Sequence, residues 1–178
     1  MFISFGSGET ALRACIFGIG SPHGDDQAGW RLIEALTKRS DVDARLVALH
    51  TTASLLDHLD GCRRLILVDA CQSEALPGTI FRWQWPDAAI SRQTWRSSHQ
   101  VDVRAALELA ETLGRLPSCV VLFGIEIEAC LPGTDLSPAV ERGLHSLERD
   151  VMRELTQAID CPGKDDEVRA AGVGEHNK

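Results

Sequence analysis

Two kinds of apolar segment alternate along the chain. Short continuous runs, which are typical of strands buried on both faces of a sheet, occupy residues 14–17, 65–68 and 119–123. Apolar positions at helical spacing occur in residues 28–36, 103–110 and 140–155. Residues 44–49 and 79–85 favour two further strands, the second at an edge of the sheet, and residues 54–59 favour a short helix. This alternation predicts a three-layer α/β/α sandwich with a mostly parallel central sheet of about five strands and one antiparallel addition.

The same pattern predicts the limits of the domain. Residues 1–13 show little periodicity, so we expect a loose N-terminal arm. Residues 14–159 are expected to form a single α/β domain, because their number is ordinary for one hydrophobic core. Residues 160–178 become charged and glycine-bearing, which indicates a solvated C-terminal tail.

Composition and charge exclude several classes of function. The chain of 178 residues has 18 basic and 26 acidic side chains, and the formal charge of −8 argues against nucleic acid as a partner. No apolar run approaches the ~20 residues that cross a bilayer, so no membrane partner is expected. The first residues lack the pattern of a signal peptide, and we expect a cytoplasmic protein. The six cysteines form no CxxC pair, so most are expected to be buried, inert thiols.

A glycine-rich turn joins the first predicted strand to the first helix. It contains Gly18, Gly20 and Gly24, and a helix is expected to begin near Asp26. Asp25 and Asp26 are adjacent at this helix entry, where an aspartate is a favoured N-cap. One of the two is explained by capping, which leaves the other available for chemistry.

Three polar residues are predicted to meet at one edge of the sheet. Asp69 follows the central apolar run, and His99 precedes the helix of residues 103–110. Because ligands of open α/β sheets bind at the carboxyl ends of the strands, Asp69 should lie on the same edge as Asp26. Two carboxylates and an imidazole suit a divalent metal such as Zn²⁺ or Ni²⁺ and leave one position open for water or substrate. Each residue alone also has a structural explanation, as a helix cap or as part of a turn.

Other interpretations of these residues stay open. The Gly18-x-Gly20 turn permits a dinucleotide site, although His23 takes the third fingerprint position and two aspartates would repel a pyrophosphate. Cys71 with His99 permits a cysteine nucleophile, although no basic residue next to Cys71 would lower its pKa. His23 is either an additional ligand or proton carrier near Asp26, or a solvated loop residue.

The turn and the blocks that follow it carry a resemblance to a known family. Residues 18–29 resemble the N-terminal signature of the hydrogenase maturation endopeptidases, G-x-G-N-x-x-x-x-D-[DE]-x-x-G, give or take one residue. Further blocks similar to those of the family follow in the same order: Val68-Asp69-Ala70, Pro77-Gly78-Thr79, Ser97-Ser98-His99-Gln100, Phe123-Gly124-Ile125-Glu126 and Leu136-Ser137-Pro138-Ala139-Val140. The resemblance is collinear over residues 15–155.

The resemblance implies a specific activity. It implies an aspartic-type endopeptidase that activates a nickel-iron hydrogenase by removing the C-terminal extension of its large-subunit precursor after nickel insertion. Asp26, Asp69 and His99 fall on the family's three metal-binding positions, and they are the residues expected to carry catalysis. The resemblance implies that the nickel is carried by the substrate. Another divalent metal, such as zinc or cadmium, is expected to bind the enzyme in vitro. The precursor is the expected partner, and the enzyme is expected to act as a monomer.

The chain departs from the family pattern at three places. Ser21 stands where Asn is usual, and Asp26 stands where some members have the longer Glu. The loop after the second strand reads Leu49-His50-Thr51-Thr52 instead of Asp-Gly-Gly-Thr. Separately from these departures, a non-catalytic module that chaperones the nickel-bearing subunit stays open as an alternative function.

Overall fold

A five-stranded sheet forms the centre of the fold. The computed structural model describes residues 14–87 and 103–157. Its strands are β1 (Cys15–Ile19), β2 (Arg45–Leu49), β3 (Arg64–Cys71), β4 (Ile80–Gln84) and β5 (Cys119–Glu126). They lie in the order β2-β1-β3-β5-β4, parallel except for β4, which pairs antiparallel with β5 at the edge. The predicted mostly parallel sheet with one antiparallel strand is confirmed.

Helices cover both faces of the sheet. The α-helices are α1 (Ala28–Thr37), α2 (Val103–Thr112) and α3 (Pro138–Thr156), and two 3-10 helices span Gly24–Gln27 and Thr52–His58. On one face α1 and α3 pack against alternate strand residues such as Ile16 and Ile66. On the other face α2 and the second 3-10 helix pack against Phe17 and Leu65. Because neighbouring strand residues point to opposite faces, each strand contributes to both apolar layers. The predicted three layers are present.

Element boundaries differ from the predictions at the ends of the central strands. Asp69 was expected after its strand but lies within β3, and β5 continues past the predicted run of residues 119–123 through Gly124 to Glu126. The parallel ladder continues past both residues, pairing Asp69 with Gly124 and Cys71 with Glu126. The first helix also begins differently, because residues 24–27 form a 3-10 helix before α1 starts at Ala28.

The start of α3 confirms the predicted cap. Ser137 Oγ accepts a hydrogen bond from the Val140 N–H at 3.4 Å, and Pro138 occupies the first turn. Near its other end, Glu154 is buried and pairs with Arg64 and Arg82 of the sheet. Burial alone would raise the pKa of Glu154, but the hydrogen bonds and charges of the two arginines outweigh it and hold the pKa below its ordinary value. This ion pair fixes α3 against β3 and β4.

Some predictions fall outside the described residues. These include the arm of residues 1–13, the tail of residues 160–178 and the site residue His99. Within the described part, no helix has the length and apolar character needed to cross a membrane. Four of the cysteines there are free thiols, whereas Cys119 is disulfide-bonded, which the cysteine spacing did not predict.

Candidate active site

The glycine turn after β1 brings the first 3-10 helix to the carboxyl edge of the sheet. A Cβ atom on Gly18 would lie 2.2 Å from the Gly29 carbonyl oxygen, and one on Gly29 would lie 2.1 Å from the Ile19 carbonyl oxygen. Both positions therefore require glycine, because α1 crosses β1 at backbone contact. The glycines thus have a packing role. The 3-10 helix also places Asp25 and Asp26 at the position where a bound pyrophosphate would need positive charge. This arrangement disfavours the dinucleotide interpretation.

Asp26 and Asp69 lie at the same edge of the sheet. Asp26 is 2% exposed in the first 3-10 helix, and Asp69 is fully buried in β3. Gly18 pairs with Val68, so Asp69 stands one residue further along, beside the end of β1. The 3-10 helix contacts β3, and the charges of both aspartates act on the thiol of Cys130. The predicted common edge of these two carboxylates is therefore found, while His99 is outside the described residues.

Helix capping does not account for Asp26. The residue at the N-cap of the 3-10 helix is His23, and that of α1 is Gln27. The Asp26 backbone is nevertheless fixed, since its N–H donates to the His23 carbonyl at 3.1 Å and its carbonyl accepts from the Ser21 N–H at 3.3 Å. Asp69 Oδ1 accepts from the Ala70 N–H at 2.9 Å. Both residues are thus held in defined positions by backbone contacts.

Asp25 has a structural role that the sequence did not reveal. Its carboxylate, on a residue 1% exposed, accepts hydrogen bonds from the backbone N–H groups of Glu128 at 2.9 Å, Ala129 at 3.4 Å and Ser137 at 2.5 Å. It accepts a fourth from the Ser137 hydroxyl at 2.9 Å. Asp25 therefore holds the segment between β5 and α3 against the glycine turn. The signal in the sequence was the second aspartate of the pair, which capping left unexplained.

Glu126 is a second buried carboxylate that holds a loop. It is 3% exposed at the end of β5, and its two oxygens accept from the Ser73 N–H at 2.8 and 2.9 Å. The Ser73 hydroxyl donates to Oε2 at 2.8 Å. These bonds fix the start of the loop that connects β3 to β4. The sequence placed Glu126 only in a family block and gave it no role.

The two free thiols near the site favour the protonated state. Burial raises the pKa of Cys71 above its ordinary value, and the charges of Glu126 and Asp69 raise it further. Burial likewise raises the pKa of Cys130 to about 11, with further contributions from Asp26, Asp25 and Asp69. A protonated thiol is a poor nucleophile, so this environment argues against Cys71 as the attacking group. The side chain of His23 is exposed, as expected for a solvated loop histidine.

The site offers oxygen ligands from two separate elements. Carboxylates suit divalent cations, and their attraction for a cation is stronger in a buried setting than in water. Among residues 14–87 and 103–157, no group of three His, Cys, Asp or Glu side chains is arranged to hold a metal ion. The predicted set of Asp26, Asp69 and His99 needs a residue outside those ranges and stays a prediction.

Comparison with known proteins gives the family. The family model of the hydrogenase maturation protease HycI matches residues 30–154. Hydrogenase maturating endopeptidase HybD from E. coli is similar with a TM-score of 0.70 and 26% identity, over 81% of this chain and 92% of that one. The [NiFe] hydrogenase maturation protease HybD from Thermococcus kodakarensis also has a TM-score of 0.70, with 22% identity over 82% of this chain and 100% of that one. No curated protein sequence matches. With its family model matched over most of its length, the chain belongs to the hydrogenase maturation protease family.

Proposed function

We propose that this protein removes the C-terminal extension of a nickel-iron hydrogenase large-subunit precursor after nickel has been inserted. Membership of the family supports the peptidase class. The observation that carries the finer statement is the position of Asp26 and Asp69, two buried carboxylates from different elements at one sheet edge. The dependence on nickel and the position of the cut are the parts that need an experiment.

In the proposed mechanism, the nickel is part of the substrate. Asp26 and Asp69, together with His99, approach the metal that the precursor carries and thereby position the adjacent scissile peptide. Carboxylate and imidazole groups are suitable partners for this cation. A water molecule then attacks the carbonyl carbon of the scissile peptide, the C–N bond to the C-terminal fragment breaks, and a proton of the water passes to the amine nitrogen of the leaving fragment. Hydrogen bonds hold the main chain of Asp26 and the Oδ1 atom of Asp69 in place before the substrate arrives.

The test is the intact mass of a cognate large-subunit precursor after incubation with the purified protein. We expect the nickel-loaded precursor to lose a C-terminal fragment and the nickel-free precursor to stay whole. Asp69→Ala and His99→Ala should abolish the cut while leaving the fold intact by circular dichroism. Cys71→Ala is the matched control at the same edge, and it should process normally because no thiol attack is involved.

Two results would contradict this proposal. Full processing by Asp69→Ala or His99→Ala would remove these residues from the mechanism. A stable complex with the nickel-loaded precursor that is never shortened would indicate a chaperone of the nickel-bearing subunit instead of a peptidase.

A further inference from the structure

The tetrapeptide Leu-Pro-Gly-Thr occurs twice, and both copies lie at equivalent places in the fold. The first spans residues 76–79 and the second spans residues 131–134. Each copy begins five residues after the last residue of its strand, which is Cys71 for β3 and Glu126 for β5. These two strands are parallel neighbours, and Cys71 pairs with Glu126. The two copies therefore follow adjacent strands in register at the carboxyl edge, where Asp26 and Asp69 also lie.

Both copies have the features of a type II turn. In each, the threonine N–H donates to the leucine carbonyl, at 3.0 Å in the first copy and 3.4 Å in the second. The glycines have positive φ angles, 85° at Gly78 and 74° at Gly133. Proline at the second position and a positive-φ glycine at the third are the residues that this turn requires. Each leucine therefore begins a turn of defined backbone conformation.

The leucine of each turn points to solvent. Leu76 is 81% exposed and Leu131 is 59% exposed, the largest values among the exposed large apolar side chains of the described residues. A single exposed leucine needs no explanation, but two in matched rigid turns beside a candidate active site form a repeated feature. They contribute nothing to the core of the fold.

Buried carboxylates hold the loops of both turns in place through hydrogen bonds. Glu126 fixes Ser73 at the start of the first loop, and its backbone carbonyl accepts from the Gly78 N–H at 2.8 Å. Asp25 fixes the segment that contains the second turn on both sides, through residues 128, 129 and 137. The leucines thus stand on loops that are tied to the same edge as Asp26 and Asp69, so a polypeptide bound there would lie next to the site.

The charge of this edge indicates what kind of polypeptide fits. The described loops here, residues 20–27, 50–54, 72–79 and 127–137, contain no lysine or arginine. They expose the carboxylates of Glu74, Glu128 and Asp135 on the same loops as the two leucines. The nearby cation Arg31, which donates to Gln27, is already paired with Glu34 of its own helix. An apolar and acidic surface is complementary to a segment with apolar side chains flanked by basic ones.

We propose that Leu76 and Leu131 form the docking surface for the precursor polypeptide, and that the segment bound there carries apolar side chains flanked by lysine or arginine. This inference rests on the proposed function, since it names how the same site recognises its substrate. The two turns hold the segment so that the precursor's nickel reaches Asp26 and Asp69 and the adjacent scissile bond is positioned with it. The occupant is the precursor and not a second copy of this chain.

The test measures affinity for the cognate nickel-loaded precursor in an Asp69→Ala background, where no cleavage interferes. Leu76→Ser and Leu131→Ser should each raise Kd by about tenfold, the loss expected when roughly half of a buried leucine's apolar contribution disappears. In the otherwise wild-type enzyme, each change should raise KM for the precursor and leave kcat within about twofold. Glu74→Gln with Glu128→Gln should weaken the dependence of Kd on salt.

Leu113→Ser is the matched control. Leu113 is 53% exposed and directly follows α2, in the segment that runs to Cys119 at the start of β5. It therefore lies near the amino ends of the strands, away from the carboxyl edge that carries Leu76 and Leu131. This variant should bind and process the precursor as the wild type does. The leucine side chains are on the surface, so unchanged circular dichroism and Tm are expected for all the leucine variants.

Three outcomes separate the possibilities. Unchanged Kd and KM in the Leu76→Ser, Leu131→Ser double variant would overturn the docking proposal while the proposed function stands. Self-association of the wild type that the double variant loses, with unchanged precursor binding, would assign the surface to a second copy and would also overturn it. If the wild type never shortens the precursor but the leucine variants still lose affinity for it, the docking proposal holds and the proposed function fails.

Discussion

Replacement of Asp25 tests how the edge of the sheet is held together. The Asp25 carboxylate accepts four hydrogen bonds from the segment between β5 and α3, three on Oδ2 and one on Oδ1. Asp25→Ala removes every acceptor and leaves N–H donors of Glu128 and Ser137 without a partner. Asp25→Asn keeps one oxygen, which can take the place of Oδ2 and accept from its three donors. The amide N–H₂ group then takes the place of Oδ1 and faces the Ser137 N–H, so two donors oppose each other.

The size of the effect follows from the number of lost bonds. A hydrogen bond to a charged group contributes about 1.5–3 kcal/mol, and an unsatisfied buried donor costs about 1–3 kcal/mol. These contributions overlap within one cluster, so we expect Asp25→Ala to lower the free energy of unfolding by roughly 3–5 kcal/mol. For Asp25→Asn, where one acceptor is lost, we expect roughly 2–3 kcal/mol.

Urea unfolding at equilibrium measures both values. The midpoint should fall while the slope stays constant, because the surface exposed on unfolding does not change. Asp135→Asn is the control, since Asp135 is an exposed carboxylate of the same segment and should change stability by less than about 0.5 kcal/mol. A loss below about 1 kcal/mol for Asp25→Ala would refute the reasoning and show that other contacts hold the segment.

Two further variants test the packing of the helices. The pKa of Glu154 is depressed below its ordinary value of 4.5, so its ion pair stabilises the fold above that pH and loses this effect as the pH falls through the lower native pKa. Glu154→Gln should therefore make the decrease of Tm with falling pH less steep below pH 5. Glu148→Gln, at a residue paired with Arg39 near the surface, should leave this pH dependence unchanged. Gly29→Ala would place its Cβ 2.1 Å from the Ile19 carbonyl oxygen and should cost at least about 2 kcal/mol, because backbone on both sides must move. A Tm unchanged in Gly29→Ala would contradict the backbone contact between α1 and β1.

Apolar periodicity predicted the helices and strands because each buries one definable surface. Val103, Ala106, Leu107 and Ala110 share the buried face of α2, as their spacing indicated. The continuous run of residues 65–68 predicted a strand buried on both faces, which β3 is. These features depend on local sequence and on burial alone, so one chain without relatives was sufficient to predict them.

The ends of the central strands were not predictable in the same way. Asp69 and Glu126 are polar, and a polar residue interrupts an apolar run in any local analysis. Whether the ladder continues through such a residue depends on the neighbouring strand. Here β3 and β5 extend each other, because Asp69 pairs with Gly124 and Cys71 pairs with Glu126. The separate roles of Asp25 and Asp26 were also hidden, because the partners of Asp25 lie more than 100 residues further along the chain.

The buried acids of this edge show how stability and recognition are connected. Burying an ionised carboxylate costs free energy unless donors replace its water, and Asp25 and Glu126 obtain those donors from the two loops that leave β5 and β3. The loops are thus ordered by the charges they neutralise, and the same loops carry the exposed Leu76 and Leu131. Asp25 is covalently joined to Asp26, so one dipeptide both orders a proposed docking turn and supplies a proposed catalytic carboxylate. A shift of either aspartate therefore moves the other. The distance between the docked peptide and the active site is thus set by the backbone of this dipeptide.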